Sequence, residues 1–223
     1  MLPLRDVSRR PVRVPIVTGT IIAINLAAFV LELNGGDSFI TRWSVIPAEI
    51  IAARHVETIL TAMFLHAGWE HILGYMLFLW VFGPQIEDVM SRPRYLIFYL
   101  LGGLVSTLTQ IVVSPDATIP NLGASGAIAA VMGAFLMTYP RDQIRTLLFL
   151  GWYVSIRLVP AVILVGLWFL MQIFSEVGAI AAVQTGGVAY MAHIGGFLFG
   201  AVGARVFENP ERLASQRSRG LIQ

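Results

Sequence analysis

Apolar residues fall into long runs broken by short polar stretches rich in arginine, and the runs are the length of membrane spans. A helix needs about 20 mostly apolar residues to cross a bilayer. Six stretches qualify, at about 16–33, 71–90, 94–113, 123–140, 157–175 and 187–207. The apolar stretch from Arg145 to Tyr153 is cut off from the fifth by Arg157 and Pro160, and reads as a connector on the inner face. The first run is too long for the core of a cleaved signal and no small-x-small site closes it, so it reads as a membrane helix. The fold class expected is all-α: a polytopic membrane helix bundle of six transmembrane helices. It would occupy residues 16–207, between an N-terminal tail (1–15) and a C-terminal tail (208–223). The connection at about 34–70 is long. Trp43, Pro47, Trp69 and the helically spaced Ile46, Ile50 and Ile51 predict short interfacial helices there, a structured outer loop.

Charge sets the orientation, because arginine is retained on the cytoplasmic side. Arg5, Arg9, Arg10 and Arg13 precede the first run, and Arg92 and Arg94 separate the second from the third. Arg141, Arg145 and Arg157 lie between the fourth and fifth, and Arg212, Arg217 and Arg219 follow the sixth. The alternate connections are acidic: Asp37, Glu49 and Glu57 outnumber Arg42 and Arg54, while Asp116 and Glu176 stand alone. Both termini are therefore expected to be cytoplasmic.

Composition agrees with a bilayer as the surroundings. Residues are 57% hydrophobic and 13% charged, with a mean hydropathy of +0.75, whereas a soluble domain carries about 25% charged residues. A net charge of +2 gives no reason to expect nucleic acid as a partner. The absence of cysteine removes thiol catalysis, disulfides and thiolate metal sites.

Against this background two polar side chains need explaining. Ser125 sits at the start of the fourth run within Asn121-Leu122-Gly123-Ala124-Ser125-Gly126, and His193 is the only histidine of the sixth, within Ala192-His193-Ile194-Gly195-Gly196. The topology puts both at similar depth near the outer face. An intramembrane ionisable residue is costly and usually functional, and a hydroxyl beside an imidazole supplies a nucleophile and its base. Small residues at Ser125, Ala129 and Gly133, and at Gly196, Gly200 and Gly203, would let the two helices approach closely.

A second group, Phe64-Leu65-His66-Ala67-Gly68-Trp69-Glu70-His71-Ile72-Leu73-Gly74-Tyr75, opens the second run at the same depth. Zinc proteases place two histidines at i and i+4 on one helix face. Here the spacing is i, i+5, about 140° apart, so no metal and no cofactor is expected. One of these side chains suits hydrogen-bond donation to an oxyanion, and His66 suits a structural role that ties down the outer loop.

These blocks, with Phe82-Gly83-Pro84-Gln85-Ile86-Glu87-Asp88, resemble in order and spacing the rhomboid intramembrane serine proteases, across nearly the whole chain. The resemblance implies an intramembrane serine endopeptidase with Ser125 as nucleophile and His193 as general base. It also implies that the Ser125 backbone amide and the His71 side chain help to bind the oxyanion, and Gly123 and Gly126 are expected to be structural. The implied substrates are single-pass transmembrane proteins, entering near the fifth span, and a six-span chain suits a bacterial cytoplasmic membrane. Two positions depart from the family. Tyr75 stands where an asparagine usually contributes to the oxyanion site, and Ala129 where some members stack an aromatic on the histidine. No acidic third member is available, so His193 is expected to be oriented by packing. The rival reading is a catalytically silent rhomboid-like protein that binds transmembrane helices for quality control or trafficking. A transporter fits less well, since paired midplane charges and repeated broken helices are missing.

Overall fold

A computed structural model describes residues 1–181 and 190–220. In chain order they form β1 (Leu2–Asp6), α1 (Ile16–Trp43), α2 (Pro47–Ile51) and α3 (Thr58–Thr61), then a 3₁₀ turn (Ala62–Phe64), α4 (Trp69–Met90), α5 (Arg92–Val113) and α6 (Ser125–Thr138). The hairpin of β2 (Gln143–Leu150) and β3 (Tyr153–Pro160) leads into α7 (Ala161–Ala181), α8 (Tyr190–Phe207) and α9 (Pro210–Gly220). Each of the six apolar runs overlaps one of α1 and α4 to α8, although residues 157–160 of the fifth belong to β3 rather than to α7. Residues 187–189 of the sixth run and 221–223 of the C-terminal tail lie outside the described residues. Among the described helices, α1, α5 and α8 are long and apolar enough to cross a membrane; α6 and residues 161–174 of α7 are shorter apolar helices.

The all-α expectation misses a three-stranded antiparallel sheet in the order β1-β2-β3. The connector stretch carries the aromatics Phe149, Trp152 and Tyr153, β-branched Val154, Ile156 and Val159 follow it, and Gly151, at φ 62°, supplies the turn. The expected N-terminal tail contributes β1, which pairs along β2 from Leu2↔Leu147 to Asp6↔Ile144. α1 also runs beyond the expected end, to Trp43, bending where Gly36 adopts φ 63°, ψ −159°. α2 and α3 are short helices in the long connection after α1.

α6 is the axis of the bundle. From Ser125 to Phe135 every residue is buried, as expected for a helix apolar all round. It lies against α4, α5 and α8. Where α6 meets α8, backbone touches backbone: a Cβ on Gly196 would collide with the Gly126 carbonyl, one on Gly200 with the Ala130 carbonyl, and one on Gly133 with the Phe197 carbonyl. The α6 side of this seam is therefore Gly126, Ala130 and Gly133, one residue round from the expected Ser125–Ala129–Gly133 stripe. Gly203 lies outside it, nearest Phe98 and Phe199.

The far end of the bundle is polar and gathers both the first and the last described elements. Glu87 of α4 caps α1, accepting the Val17 N–H at 3.0 Å and the Thr18 N–H and hydroxyl at 2.8 Å each. A carboxylate there satisfies amides that have no intrahelical partner and suits the positive helix end. Asp88 accepts the Val12 N–H at 2.8 Å and the Gln216 side-chain amide of α9 at 2.7 Å. Arg9 pairs with Asp142 through both carboxylate oxygens. Asp6 accepts the Ser8 N–H and faces the Gln85 amide at 3.2 Å. Burial, and then the charge of Asp142, push the Asp6 carboxyl up to about 7.

Two outcomes follow. Because the folded state holds the Asp6 proton more tightly than the unfolded chain, its contribution is complete below about pH 4 and is lost as pH rises towards 7. Asp6→Asn should flatten this dependence and raise the unfolding temperature at pH 8 by about 2–4 °C, measured by thermal unfolding in detergent at pH 5 and pH 8. Gly200→Val should destabilise the bundle by about 3 kcal/mol or more in the same assay, since backbone cannot yield as a side chain can.

Candidate active site

α4, α6 and α8 run parallel, and each brings one polar side chain to the same end of the bundle from its first turn: His71, Ser125 and His193. Gly123, at φ 134°, makes the turn into α6. A Cβ there would be strained and would sit 3.2 Å from Ser125 Oγ and 3.4 Å from His71 Nε2. The small space over Gly123 is thus bounded by the nucleophile candidate on one side and an imidazole on the other.

Ser125 Oγ lies 2.7 Å from His193 Nε2, and both residues are buried. The other ring nitrogen, Nδ1, lies 2.7 Å from Gln172 Oε1 in α7. The Gln172 amide nitrogen faces the Trp168 carbonyl at 3.5 Å, with the amide oxygen towards the ring. An amide oxygen only accepts hydrogen bonds, so Nδ1 carries the hydrogen and Nε2 is left bare, able to accept the Ser125 hydroxyl. This is the tautomer a general base needs. The Trp168 ring also packs beside His193, with centroids 5.9 Å apart. Packing alone, the sequence expectation, is therefore incomplete: His193 is oriented by a hydrogen bond to Gln172. Its signal in the sequence was a lone amide in the otherwise apolar run 161–174.

The same reasoning applies to His71. Its Nδ1 accepts the Ala67 backbone N–H at 3.2 Å, so Nε2 bears the hydrogen, aimed at the space over Gly123. Ser125 is the first residue of α6, and its backbone N–H has no intrahelical acceptor. The Tyr75 hydroxyl stands 3.5 Å from His193 Nε2, at the limit of a hydrogen bond. Its ring lies between His71 (centroids 4.9 Å) and His193 (6.1 Å). Three donors on two elements, His71 and Tyr75 of α4 and the Ser125 N–H of α6, thus lie around the serine hydroxyl.

His66 is buried behind this group. Its backbone N–H donates to Glu32 Oε2 of α1 at 2.9 Å, and its ring packs edge-on against His71 and Phe29. Burial, then the neighbouring His71, push its imidazole down to about 4, so it is uncharged at neutral pH. It ties the connection between α1 and α4 to α1 through the main chain and through packing. Gly126 and Gly196 form the seam directly below the serine, and Gly200 the next turn. Among the described residues no three His, Asp or Glu side chains converge as metal ligands.

A cavity of about 740 Å³ opens over these groups, lined by His71, Tyr75, Ser125 and His193 below and by Trp69 and Asn121 above. Its lining runs from the buried Ser125 and His193 to the exposed Ala67, Trp69 and Glu70.

The family model for the rhomboid domain matches residues 53–209. The chain is similar to the rhomboid protease GluP of Bacillus subtilis, 33% identical over 126 residues, which are 55% of this chain and 24% of that protein. It is also similar to the mitochondrial rhomboid protein 1 of Saccharomyces cerevisiae, 25% identical over 187 residues (81% and 50%). The human mitochondrial presenilin-associated rhomboid-like protein is 27% identical over 150 residues (63% and 35%). The matched regions thus span between a quarter and a half of these relatives' own lengths. With the family's domain matched from the connection after α2 to just beyond the end of α8, and with its helices apolar, this multi-pass membrane protein belongs to the rhomboid family.

Proposed function

We propose that the chain is an intramembrane serine endopeptidase that cleaves transmembrane helices of membrane proteins, single-pass ones in particular. The observation that carries this reading is the 2.7 Å contact between Ser125 Oγ and His193 Nε2 at the floor of an open cavity. The proposed course is acyl transfer. Oγ attacks a peptide carbonyl carbon while its proton passes to Nε2. The oxyanion that forms lies over Gly123, where it accepts from the Ser125 N–H and His71 Nε2–H, with the bulky Tyr75 at the position of a third donor. His193 then gives its proton to the leaving amine, and an acyl-serine remains. Water from the cavity loses a proton to Nε2 as it attacks the ester, which frees the acid and restores Ser125. Gln172 keeps Nδ1–H engaged throughout and so holds the ring in register; being neutral, it stabilises the imidazolium less than a carboxylate would.

The topology that goes with this function has six spans within residues 16–207, both tails in the cytoplasm and the cavity on the outer side. It is supported by the arginine-rich connections and by the meeting of β1 and α9 at the end of the bundle opposite the cavity. A bacterial cytoplasmic membrane suits it. A second reading, a non-proteolytic helix binder for quality control or trafficking, is favoured by one observation, the bulky Tyr75 between His71 and His193.

Cleavage of a transmembrane substrate in proteoliposomes separates the two. Ser125→Ala should lower the rate by about 10⁴-fold or more. Equal product from the unmodified chain and Ser125→Ala would sink the protease reading. Gln172→Leu should lower kcat by about tenfold with KM unchanged, with recovery in Gln172→Glu, because one orienting hydrogen bond is worth about 1.4 kcal/mol. Tyr75→Asn should raise the rate by at least about tenfold, one well-placed oxyanion donor being worth 10²–10³. An unchanged rate would show that the phenol already serves.

A further inference from the structure

The hairpin between α6 and α7 lies at the end of the bundle opposite the cavity and has no part in the chemistry above. Its register puts Leu158 opposite Arg145, Ile156 opposite Leu147 and Val154 opposite Phe149. Residues directly opposite in an antiparallel pair share a face, so Leu147, Phe149, Val154, Ile156 and Leu158 form one continuous apolar face, with Arg145 at its end nearest α7. Phe149, Val154, Ile156 and Leu158 are each more than half exposed, and Trp152 at the tip is 99% exposed. The opposite face is largely covered: Ile144 and Thr146 are fully buried and Leu148 and Ser155 partly so, while Arg157, paired with Thr146, is exposed. Exposed apolar residues scattered singly would need no explanation, whereas a sheet face made of them marks a surface that something covers.

What covers it is indicated by the next element. β3 passes without a break into α7, held by Ala161 N–H to the Asp142 carbonyl and Val162 N–H to the Pro140 carbonyl, at 2.8 and 2.9 Å. Along α7, Ile163, Leu167, Leu170 and Phe174 are exposed at helical spacing, an apolar stripe on a membrane helix. The hairpin face therefore continues a lipid-facing surface. Depth is limited by the backbone. Among the described residues β3 is paired on one edge only, and an open edge cannot enter the hydrocarbon core, where its amides would find no partner. Trp152 suits the headgroup boundary, where tryptophan concentrates. Of the nearby charges, Asp142 is taken by Arg9, while Arg141, Arg145 and Arg157 are exposed.

We infer that the β2–β3 hairpin is an interfacial anchor that lays its apolar face and Trp152 into the headgroup–acyl boundary of the leaflet opposite the cavity, with its arginines on anionic lipid headgroups. The anchor fixes the depth at which α7 begins, and α7 carries Gln172.

The chain contains no cysteine, so single cysteines can be placed at Phe149, Trp152 and Ile156, with Ser155 on the covered face and Asp116 in an outer loop as references. Each is spin-labelled in the full chain, at high lipid dilution, in vesicles of phosphatidylethanolamine and phosphatidylglycerol. Accessibility to oxygen and to a water-soluble nickel chelate is then compared. The ratio of oxygen to nickel accessibility should be at least about threefold higher at Phe149, Trp152 and Ile156 than at either reference, as for a helix or strand lying in the interface. Ratios equal to that at Asp116 would overturn the proposal by placing the hairpin in water. Protection from both reagents would overturn it in favour of a protein partner, a second copy included. Replacing phosphatidylglycerol by phosphatidylcholine should lower the three ratios, and so should Arg145→Gln with Arg157→Gln. Ratios unmoved by either change would overturn the anionic-headgroup assignment. The readout does not depend on proteolysis, so its failure and that of the protease reading are separable.

Discussion

Everything at the candidate site depends on how closely α6 and α8 approach. A hydroxyl and an imidazole on two different helices meet at hydrogen-bond distance only if the backbones nearly touch, and Gly126, Gly133, Gly196 and Gly200 remove the side chains that would hold them apart. In lipid this contact gains little from the hydrophobic effect, because lipid tails are as apolar as leucine; close packing has to supply the stability. The burial of α6 on all sides follows from the same geometry. So does the direction of the site, since helices that begin at one end deliver their first-turn side chains together.

The second constraint is electrostatic. A dyad in an apolar bundle has little water to correct a misplaced proton, so the tautomer of His193 has to be set by a partner. Gln172 sets it with an acceptor that bears no charge, which avoids burying a carboxylate in the membrane interior. The choice exchanges some stabilisation of the imidazolium for a cheaper ground state. It also links the site to α7, and through α7 to the hairpin at the other face. Tyr75 is the remaining tension: its hydroxyl reaches the dyad, while its ring fills space between the two histidines.

Much of this was legible in the chain alone. Ser125, His193 and His71 stood out because polar groups in apolar runs demand a reason, and parallel spans put them at one depth. The seam was legible in kind but off by one residue on α6, since small-residue spacing cannot tell neighbouring faces of a uniformly apolar helix apart. Gln172 was missed because an uncharged amide carries less warning than an ionised group, and its partner lies 21 residues away on another helix. The sheet was missed because β1 sits far from β2 in sequence, and because a short apolar run interrupted by Arg145 and Arg157 has no periodicity that separates a hairpin from a loop. Glu87 and Asp88 were recognised as part of a motif, but their roles as cap and anchor emerge only once α1 and α9 are folded onto α4.

The most direct test is covalent. An activated serine beside a bare imidazole nitrogen should react with a fluorophosphonate, so intact and peptide mass spectrometry of the reconstituted chain should find one adduct, on Ser125. The adduct should disappear in His193→Ala and in Ser125→Ala. A chain whose Ser125 stays unmodified while a known serine hydrolase in the same vesicles is labelled, or whose labelling is unchanged in His193→Ala, would contradict the account.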